Sequence, residues 1–349
     1  MADVAASIRP DLDAQRAVKV LYIVGWGRSG STIMDNLLGE IDGFFSAGEL
    51  TYLWERGLVE GRKCGCGALL RDCALWSTVL KVAFGEPYTD EVDPRRVVSW
   101  QHDAVRVRHA WRLLRHHPGI STGSPALDSY VEVLGRLYPA ISEVTGARVI
   151  VDSSKRPSDA AVLRLVRGVD PYFVHLVRDP RAVAYSWRRR KAQPDRDRPA
   201  ELVPHGPADS TTSWVGWNLA AEALTRRNGP GRSTLLRYED FVANPRRTLV
   251  ELAALVGERP HDLPLDGERT AKLGGNHTSS GNPSRFKTGT IELREDTEWL
   301  TQQARADRVV ATTLALPLLR RYGYPLRPKA PGSLPARANE RARAGATKR

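Results

Sequence analysis

Residues 18–39 read VKVLYIVGWGRSGSTIMDNLLG, and the fold follows from this stretch. Residues 18–24 form a short apolar run of the kind that makes a buried parallel strand. A glycine-rich turn at 25–32 then leads into an amphipathic helix that carries Ile33 and Leu37. Such a turn at a helix N-terminus binds anions, because the free backbone amides and the helix dipole both favour negative charge. The stretch therefore predicts a phosphate or sulfate cradle.

The turn itself supplies both charge and hydrogen-bond donors. The guanidinium of Arg28 is a fixed positive charge, the hydroxyls add donors, and the glycines let the backbone come close to a ligand. A nucleotide P-loop has a lysine directly after its second glycine, but here Ser31 occupies that place and Arg28 precedes Gly30 by two residues. The alternative is a glycine turn that merely links a strand to a helix. The predicted anion ligands are Gly27, Arg28, Ser29, Gly30, Ser31 and Thr32.

Further apolar runs alternate with helical patterns along the chain. Extended segments are predicted at 43–50, 148–151, 171–177 and 234–237. This alternation predicts an α/β fold with a P-loop-like central parallel β-sheet flanked by helices. Ligands of such sheets bind beyond the carboxyl ends of the strands, where the turn, residues 152–155 and Arg178 all fall.

Three segments resemble sulfotransferases that use PAPS (3′-phosphoadenosine 5′-phosphosulfate). The turn, with Arg28 before Ser-Gly-Ser-Thr, resembles their 5′-phosphosulfate loop. HLVRDPRAVAYSWRRR resembles the segment whose Arg and Ser hold the 3′-phosphate, and the resemblance assigns that role to Arg178 and Ser186. LLRYEDFVANP resembles the segment whose Tyr lies against the adenine, here Tyr238. Without the family, Arg178 would be a surface residue paired with Asp179, and Tyr238 an ordinary core aromatic residue.

The resemblance covers about residues 18–325. HTSSGNPSRFKTG, residues 277–289, resembles the C-terminal loop of bacterial sulfotransferases, which makes Arg285 a candidate for a second 3′-phosphate contact. The GEL and CGCG segments resemble the bacterial, carbohydrate-type branch. The family implies transfer of the sulfuryl group from PAPS to a hydroxyl or amine of a carbohydrate, glycolipid or small metabolite. It also implies PAP (adenosine 3′,5′-bisphosphate) as the product and no metal.

The resemblance also implies catalytic roles. Arg28 matches the loop cation that stabilises charge on the leaving group. The His base of the cytosolic members aligns with Lys155, so we expect Lys155 to steady the sulfuryl oxygens and the base to lie elsewhere. Glu49, after the loop helix, is the predicted base, with a pKa raised by burial, and Asp152 is the second candidate. The alternative for Glu49 is an ion pair with a neighbouring arginine.

The remainder of the chain is predicted to surround this domain. Residues 51–145 are mainly helical and are expected to form an insertion that covers the acceptor side of the active site. Candidates for contact with an acceptor in this insertion are Trp54, Trp76, Trp100 and Trp111. Residues 1–17 are predicted to be an N-terminal extension, 18–327 the sulfotransferase domain and 328–349 a basic disordered tail.

Composition narrows the range of partners. The 349 residues carry a net charge of +12, of which six basic residues and one acid at 328–349 contribute +5. No nucleic-acid motif with interleaved aromatic residues is visible, so we expect no nucleic-acid partner. No stretch approaches the ~20 apolar residues of a membrane helix. We therefore expect a soluble, cytoplasmic protein with no integral membrane association.

The three cysteines lie together in CGCGALLRDC, at Cys64, Cys66 and Cys73. A C-x-C spacing followed by a single further cysteine matches no standard zinc finger, although His102 could complete a site. We expect a tight structural turn here and no bound metal.

Two other function classes fit parts of the sequence. A P-loop kinase that uses ATP and Mg²⁺ would share the glycine-rich turn, but it would need the lysine that this turn lacks. A non-catalytic polyanion binder would act through the basic tail.

Overall fold

The computed structural model describes residues 17–196 and 198–328. In this part of the chain, the main sheet consists of β1 Val18–Val24, β2 Phe44–Gly48, β3 Val149–Lys155, β4 Val169–Val177 and β5 Ser233–Arg237. The strands are parallel and lie in the order β2-β3-β1-β4-β5. The prediction of an α/β fold with a central parallel sheet is therefore confirmed. The predicted N-terminal extension up to residue 16 and the predicted tail from residue 329 lie outside the described residues.

The helices around the sheet often begin where the sequence provides a start signal. The carboxylate of Asp179 accepts a hydrogen bond from the backbone N–H of Arg181 at 2.9 Å, and Pro180 occupies the first turn, as the Asp-Pro pair predicts. The helices are α1 Ser31–Gly39, α2 Ala74–Phe84, α3 Pro94–Ala104, α4 Ala110–Leu113, α5 Pro125–Thr145, α6 Pro157–Leu163, α7 Pro180–Arg188, α8 Pro207–Arg227, α9 Tyr238–Ala243, α10 Pro245–Leu255, α11 Trp299–Gln302 and α12 Arg305–Arg321.

Strand β1 lies in the middle of the sheet and directs the glycine-rich turn. It pairs with β3 on one side and β4 on the other, and Val20–Val24 is at most 1% exposed. Tyr22 pairs with Asp152 but Val24 pairs with Lys155, so β3 carries one extra residue near its carboxyl end. The backbone N–H of Gly25 then donates to the carbonyl of Lys155 at 3.0 Å. This irregularity places Lys155 beside the turn.

The insertion at 51–145 forms a helical layer on one face of the sheet. Side chains from α2, α3 and α5 pack in one apolar cluster with Val20 and Tyr22. Trp54 and Trp76 are fully buried in this cluster, so the prediction that they are available to an acceptor is wrong. The opposite face is covered by α1, α9 and α10, whose apolar side chains pack with Leu21 from β1.

The carboxyl-terminal part of the chain joins the fold through a buried arginine. Arg181 is fully buried, pairs with Asp179 at 2.6 Å, and donates to the carbonyl oxygens of Pro325 and Leu326, both at 2.9 Å. Helix α12 packs on α7 and α8 next to this contact. No helix in the described residues is long and apolar enough to cross a membrane.

Replacing Arg181 by Leu should lower the free energy of unfolding by about 3–5 kcal/mol, because the carboxylate of Asp179 would stay buried without its cation. Urea denaturation followed by circular dichroism measures the change. Arg320→Leu is the matched control, since Arg320 lies exposed on α12 and should stay within about 0.5 kcal/mol of wild type. Equal stability of both variants would contradict this account of Arg181.

Candidate active site

A cavity of about 520 Å³ opens at the carboxyl ends of β1, β3 and β4. From the described part of the insertion, Tyr52 and Arg56 line it, so the insertion contributes one edge of the cavity and does not cover it as a whole. A separate cleft of about 670 Å³ beside Glu40 and Arg148 contains none of the predicted site residues. The predicted residues that line the 520 Å³ cavity are Gly27, Arg28, Gly30, Ser31, Thr32, Glu49, Lys155, Arg178, Ser186 and Tyr238.

The backbone of the turn is strained at the cavity. Arg28 has φ of 67° and Lys155 has φ of 69°, which are the non-glycine residues with positive φ in the described chain. Conformations of this kind cost about 1–3 kcal/mol each and persist where surrounding structure holds them. Gly30, at φ of 87°, lies under the ring of Tyr238, and a Cβ there would come within 2.3 Å of that ring. Only glycine allows this approach.

Arg28 brings unused hydrogen-bond donors to the cavity. Its Nε and Nη1 atoms are buried and have no hydrogen-bond partner among the described residues. Burial, with added repulsion from Arg189, lowers the pKa of Arg28 to about 10, so the group stays charged at neutral pH. The hydroxyl of Ser29 is likewise buried and unpartnered within the described chain. Because the first N–H groups of α1 also have no acceptor inside the helix, this part of the site offers several hydrogen-bond donors without an internal acceptor.

Arg178 holds the turn from the side of β4. Its guanidinium donates to the carbonyl oxygen of Arg28 at 3.0 Å and pairs with Asp296 at 3.3 Å. It also lies over the ring of Tyr238, 4.6 Å from the centroid. Asp179 pairs with Arg181 instead, which excludes the Arg178–Asp179 pair that the sequence left open. The cavity thus brings Arg178, Ser186 and Tyr238 together around the turn.

Glu49 lies opposite this group in a compact ion cluster. Its Oε1 is 2.5 Å from the Nζ of Lys155, and its Oε2 is 3.7 Å from Arg56. Burial raises the pKa of Glu49, but the attraction of Lys155 and Arg56 outweighs it, so the pKa lies below the ordinary value. The expectation of a raised pKa therefore fails in the unliganded site. The ion pair with a neighbouring arginine is present, with Lys155 as the closer partner.

The structure adds cationic residues that the sequence analysis did not single out. Arg189 and Lys191 follow α7 and line the cavity. Burial and repulsion from Arg28 lower the pKa of Lys191 to about 8. The sequence does carry a signal for these cations, which is the basic run at 188–191 after Ser186 and Trp187. The run by itself does not reveal which of its side chains face the cavity. Arg190 points away, with a side chain 77% exposed and paired with Glu201.

An aromatic wall closes the cavity beside Arg28. The ring of Trp26 lies 5.7 Å from that of Trp187 and 4.7 Å from that of Trp217, and His205 lies 4.5 Å from Trp187. All four line the cavity. Such faces suit a ring-shaped or apolar ligand.

Three predicted site residues, Ser29, Asp152 and Arg285, do not line the cavity, and Ser29 is buried beside it. Asp152 is buried behind it, where it accepts hydrogen bonds from Tyr138 at 2.7 Å and Ser154 at 2.5 Å, and burial raises its pKa to about 6. Arg285 is 1% exposed and donates to the carbonyl oxygens of Thr278 at 2.7 Å and Lys63 at 2.6 Å. Packing of the insertion against residues 276–286 draws Arg285 inward.

Comparison with known proteins identifies the family of this chain. The model of the sulfotransferase family matches residues 21–262, which is more than half of the chain. The chain belongs to the sulfotransferase family. No curated protein matches it.

Solved structures with a similar fold include bacterial sulfotransferases. The sulfotransferase domain from the curacin biosynthetic pathway is 18% identical, with 89% of this chain and 100% of that chain covered and a TM-score of 0.48. The domain from the Synechococcus PCC 7002 olefin synthase is 19% identical, with 89% and 97% covered and a TM-score of 0.46. Sulfotransferase STF9 from Mycobacterium avium is 15% identical, with 92% and 81% covered and a TM-score of 0.43.

In this sulfotransferase, Lys155→Met should raise the pKa of Glu49, because the nearest cation is removed while burial stays. Titration of carbon-13-labelled glutamate side chains by NMR measures the shift. Lys191→Met is the control, since it removes an ammonium from the same cavity that does not pair with Glu49. An unchanged Glu49 pKa in Lys155→Met would show that the ion pair does not govern this carboxylate.

Proposed function

We propose that this sulfotransferase moves the sulfuryl group from PAPS to a hydroxyl or amine of a carbohydrate, glycolipid or small-metabolite acceptor in the cytoplasm. The observation that carries the proposal is the guanidinium of Arg28 at the cavity, whose Nε and Nη1 atoms are buried without a hydrogen-bond partner among the described residues. A charge left unpaired in a buried site is costly unless a ligand completes it. An anionic sulfate or phosphate group is the ligand that fits.

The two ends of the cavity suit the two anionic ends of PAPS. We assign the 5′-phosphosulfate to the turn at 27–32 and the amides of α1. We assign the 3′-phosphate to Arg178 and Ser186, with Arg189 as an added contact, because all three line the cavity and the two arginines share Asp296 as a partner. Asp296 pairs with both arginines, at 3.3 Å and 3.2 Å, and would be displaced by the phosphate.

The adenine is assigned to Tyr238, whose ring already packs on Gly30 and under Arg178. Among residues 277–289, Asn282 and Ser284 line the cavity, whereas Arg285 does not. We therefore propose these two polar side chains as donor contacts in place of Arg285. This revision keeps the C-terminal loop in the site but changes the residues that act.

In-line transfer divides the chemistry between two sides of the sulfur. The acceptor oxygen forms a bond to sulfur while the bond from sulfur to the 5′-phosphate oxygen breaks, and PAP leaves. Negative charge develops on that phosphate oxygen, where the guanidinium of Arg28 stabilises it by charge and hydrogen bonding. Arg28 does not serve as a general acid, because a guanidinium keeps its proton in proteins.

We propose Glu49 as the base that takes the acceptor proton. In the unliganded site Lys155 holds its carboxylate at 2.5 Å and lowers its pKa. A sulfuryl group bound nearby would compete for the ammonium of Lys155. Burial would then dominate the environment of Glu49 and raise its pKa, which improves it as a proton acceptor. Asp152 is a weaker candidate, because its oxygens are engaged by Tyr138 and Ser154 away from the cavity.

The aromatic wall is our candidate for the acceptor side. Trp26, Trp187 and Trp217 line the cavity, whereas Trp54 and Trp76 of the insertion are core residues. Flat apolar faces beside a polar reaction centre suit the ring of a sugar or of a small metabolite. A kinase that uses ATP and Mg²⁺ is disfavoured by the family match and by Ser31 at the place of the P-loop lysine.

Arg178→Ala and Arg189→Ala should each weaken PAP binding about 10- to 150-fold, the range for removing a hydrogen bond to a charged group. Isothermal calorimetry without added metal measures the affinity. Arg190→Ala is a matched control from the same basic run, because its side chain is exposed and does not line the cavity. Tight binding of ATP with Mg²⁺ and none of PAP would support the kinase instead.

Glu49→Gln should leave PAP affinity unchanged and lower kcat by roughly 10²–10⁴-fold, since it removes a general base. Sulfate transfer from labelled PAPS to a panel of sugar and small-molecule acceptors provides the assay. Glu55→Gln is the control, because Glu55 lies outside the cavity and faces His102 at 3.8 Å. Wild-type turnover in Glu49→Gln would remove Glu49 from the mechanism.

A further inference from the structure

Three cysteines and a histidine meet at one point beside the active site. The thiols of Cys64, Cys66 and Cys73 and a ring nitrogen of His277 all lie within 4.8 Å of one another. The Sγ atoms of Cys66 and Cys73 are 3.8 Å apart. The Nδ1 of His277 lies 3.3 Å from the Sγ of Cys73 and 3.8 Å from that of Cys64. More than 200 residues of sequence separate the histidine from the cysteines.

These spacings match the edges of a zinc tetrahedron. Zinc binds thiolate sulfur at about 2.3 Å and histidine nitrogen at about 2.0–2.1 Å. Tetrahedral angles then place two sulfurs about 3.8 Å apart and a sulfur and a nitrogen about 3.5 Å apart. The distance of 3.8 Å between Cys66 and Cys73 and the distances of 3.3 Å and 3.8 Å from His277 to Cys73 and Cys64 are close to these values, and the other three pairs lie within 4.8 Å. A disulfide would instead bring two sulfurs to about 2.05 Å.

The backbone around the cluster is arranged to present these ligands. A tight turn is closed by hydrogen bonds between Cys64 and Ala68 at 2.8 Å and from Gly67 to Cys64 at 2.9 Å. The indole N–H of Trp76 donates to the carbonyl of His277 at 2.7 Å, and the N–H of Gly65 donates to the carbonyl of Thr278 at 3.0 Å. The two segments are therefore held together by contacts other than the four candidate ligands.

We propose that Cys64, Cys66, Cys73 and His277 bind a structural zinc ion. Four protein ligands complete a tetrahedron and leave no position for substrate, which distinguishes a structural site from a catalytic one. This proposal replaces the sequence-based prediction that the segment binds no metal. It also replaces His102 as the fourth ligand, since His102 lies near Glu55 and outside the cluster.

The site would fasten the insertion to the loop that completes the active-site cavity. The N–H of Glu49 donates to the carbonyl of Ser280 at 3.0 Å, and Asn282 and Ser284 of the same loop line the cavity. Zinc at His277 would stabilise this loop and, through Ser280, the backbone of the proposed base. The zinc site itself stands on its own geometry and does not depend on the identity of the sulfuryl donor.

The first test is the metal content of the untagged wild-type protein, purified from cells grown with zinc. We expect about one zinc ion per chain by mass spectrometry of the metal. Cys66→Ser and His277→Ala should each lose most of it, whereas His102→Ala should keep it. Cys66 is exposed, so its replacement should leave the fold intact, as circular dichroism can verify.

Cobalt gives a second, spectroscopic readout. Wild-type protein loaded with Co²⁺ should show thiolate-to-cobalt charge transfer and the visible bands of tetrahedral coordination. Both should weaken in Cys66→Ser. Zinc-free wild-type protein with no cobalt signal and three titratable thiols would overturn the proposal, and so would a Cys66–Cys73 disulfide in the isolated protein.

Chelation tests the link to the active site. Removing zinc should increase amide hydrogen exchange at 276–286 and leave exchange in β1 unchanged. No change at 276–286 would contradict the fastening role. PAP calorimetry on the zinc-bound protein separates this proposal from the proposed function. Bound zinc without PAP binding would contradict the proposed function, and PAP binding by a protein that contains no zinc would contradict the zinc site.

Discussion

The candidate active site depends on how the described residues hold the guanidinium of Arg28 at the cavity. Arg28 adopts a left-handed backbone conformation at the end of the central strand, and two of its guanidinium nitrogens are buried without a partner there. Arg178 fixes the turn by donating to the Arg28 carbonyl at 3.0 Å, and Tyr238 packs on Gly30. The strained conformation of the turn is therefore held by neighbours from distant parts of the chain, and it suits the anion that we propose as its ligand.

The cavity balances its cations with a few carboxylates. Glu49 is held by Lys155, while Asp296 lies between Arg178 and Arg189. In the proposed complex, the donor would bring its own negative charge close to the cations that these carboxylates now pair with. Binding of a polyanion would thus exchange one set of ion pairs for another rather than bury new cations, which limits the cost of desolvation. The same exchange links donor binding to the proton affinity of Glu49.

The insertion and the carboxyl-terminal loop meet at a junction beside the candidate site. The cysteine segment of the insertion meets the loop around His277, and that loop reaches the backbone of Glu49 through Ser280. The guanidinium of Arg285, which belongs to the same loop, adds a contact to this junction by donating a hydrogen bond to the carbonyl oxygen of Lys63. The insertion therefore supports this loop and lines one edge of the cavity with Tyr52 and Arg56, while Trp54 and Trp76 belong to the core.

The sequence by itself determined the sheet, the glycine-rich turn and the family, because each is encoded locally. A seven-residue apolar run and a glycine-rich turn predict β1 and the helix after it, and β1 has the predicted bounds of Val18–Val24 in the structure. Only the tertiary structure decided that Lys155 lowers the pKa of Glu49, that Arg285 turns inward, and that His277 joins the cysteines. These outcomes depend on the directions of side chains and on contacts between residues that lie 100–200 positions apart in the sequence. The local hydrophobic periodicity of a sequence contains no information about either.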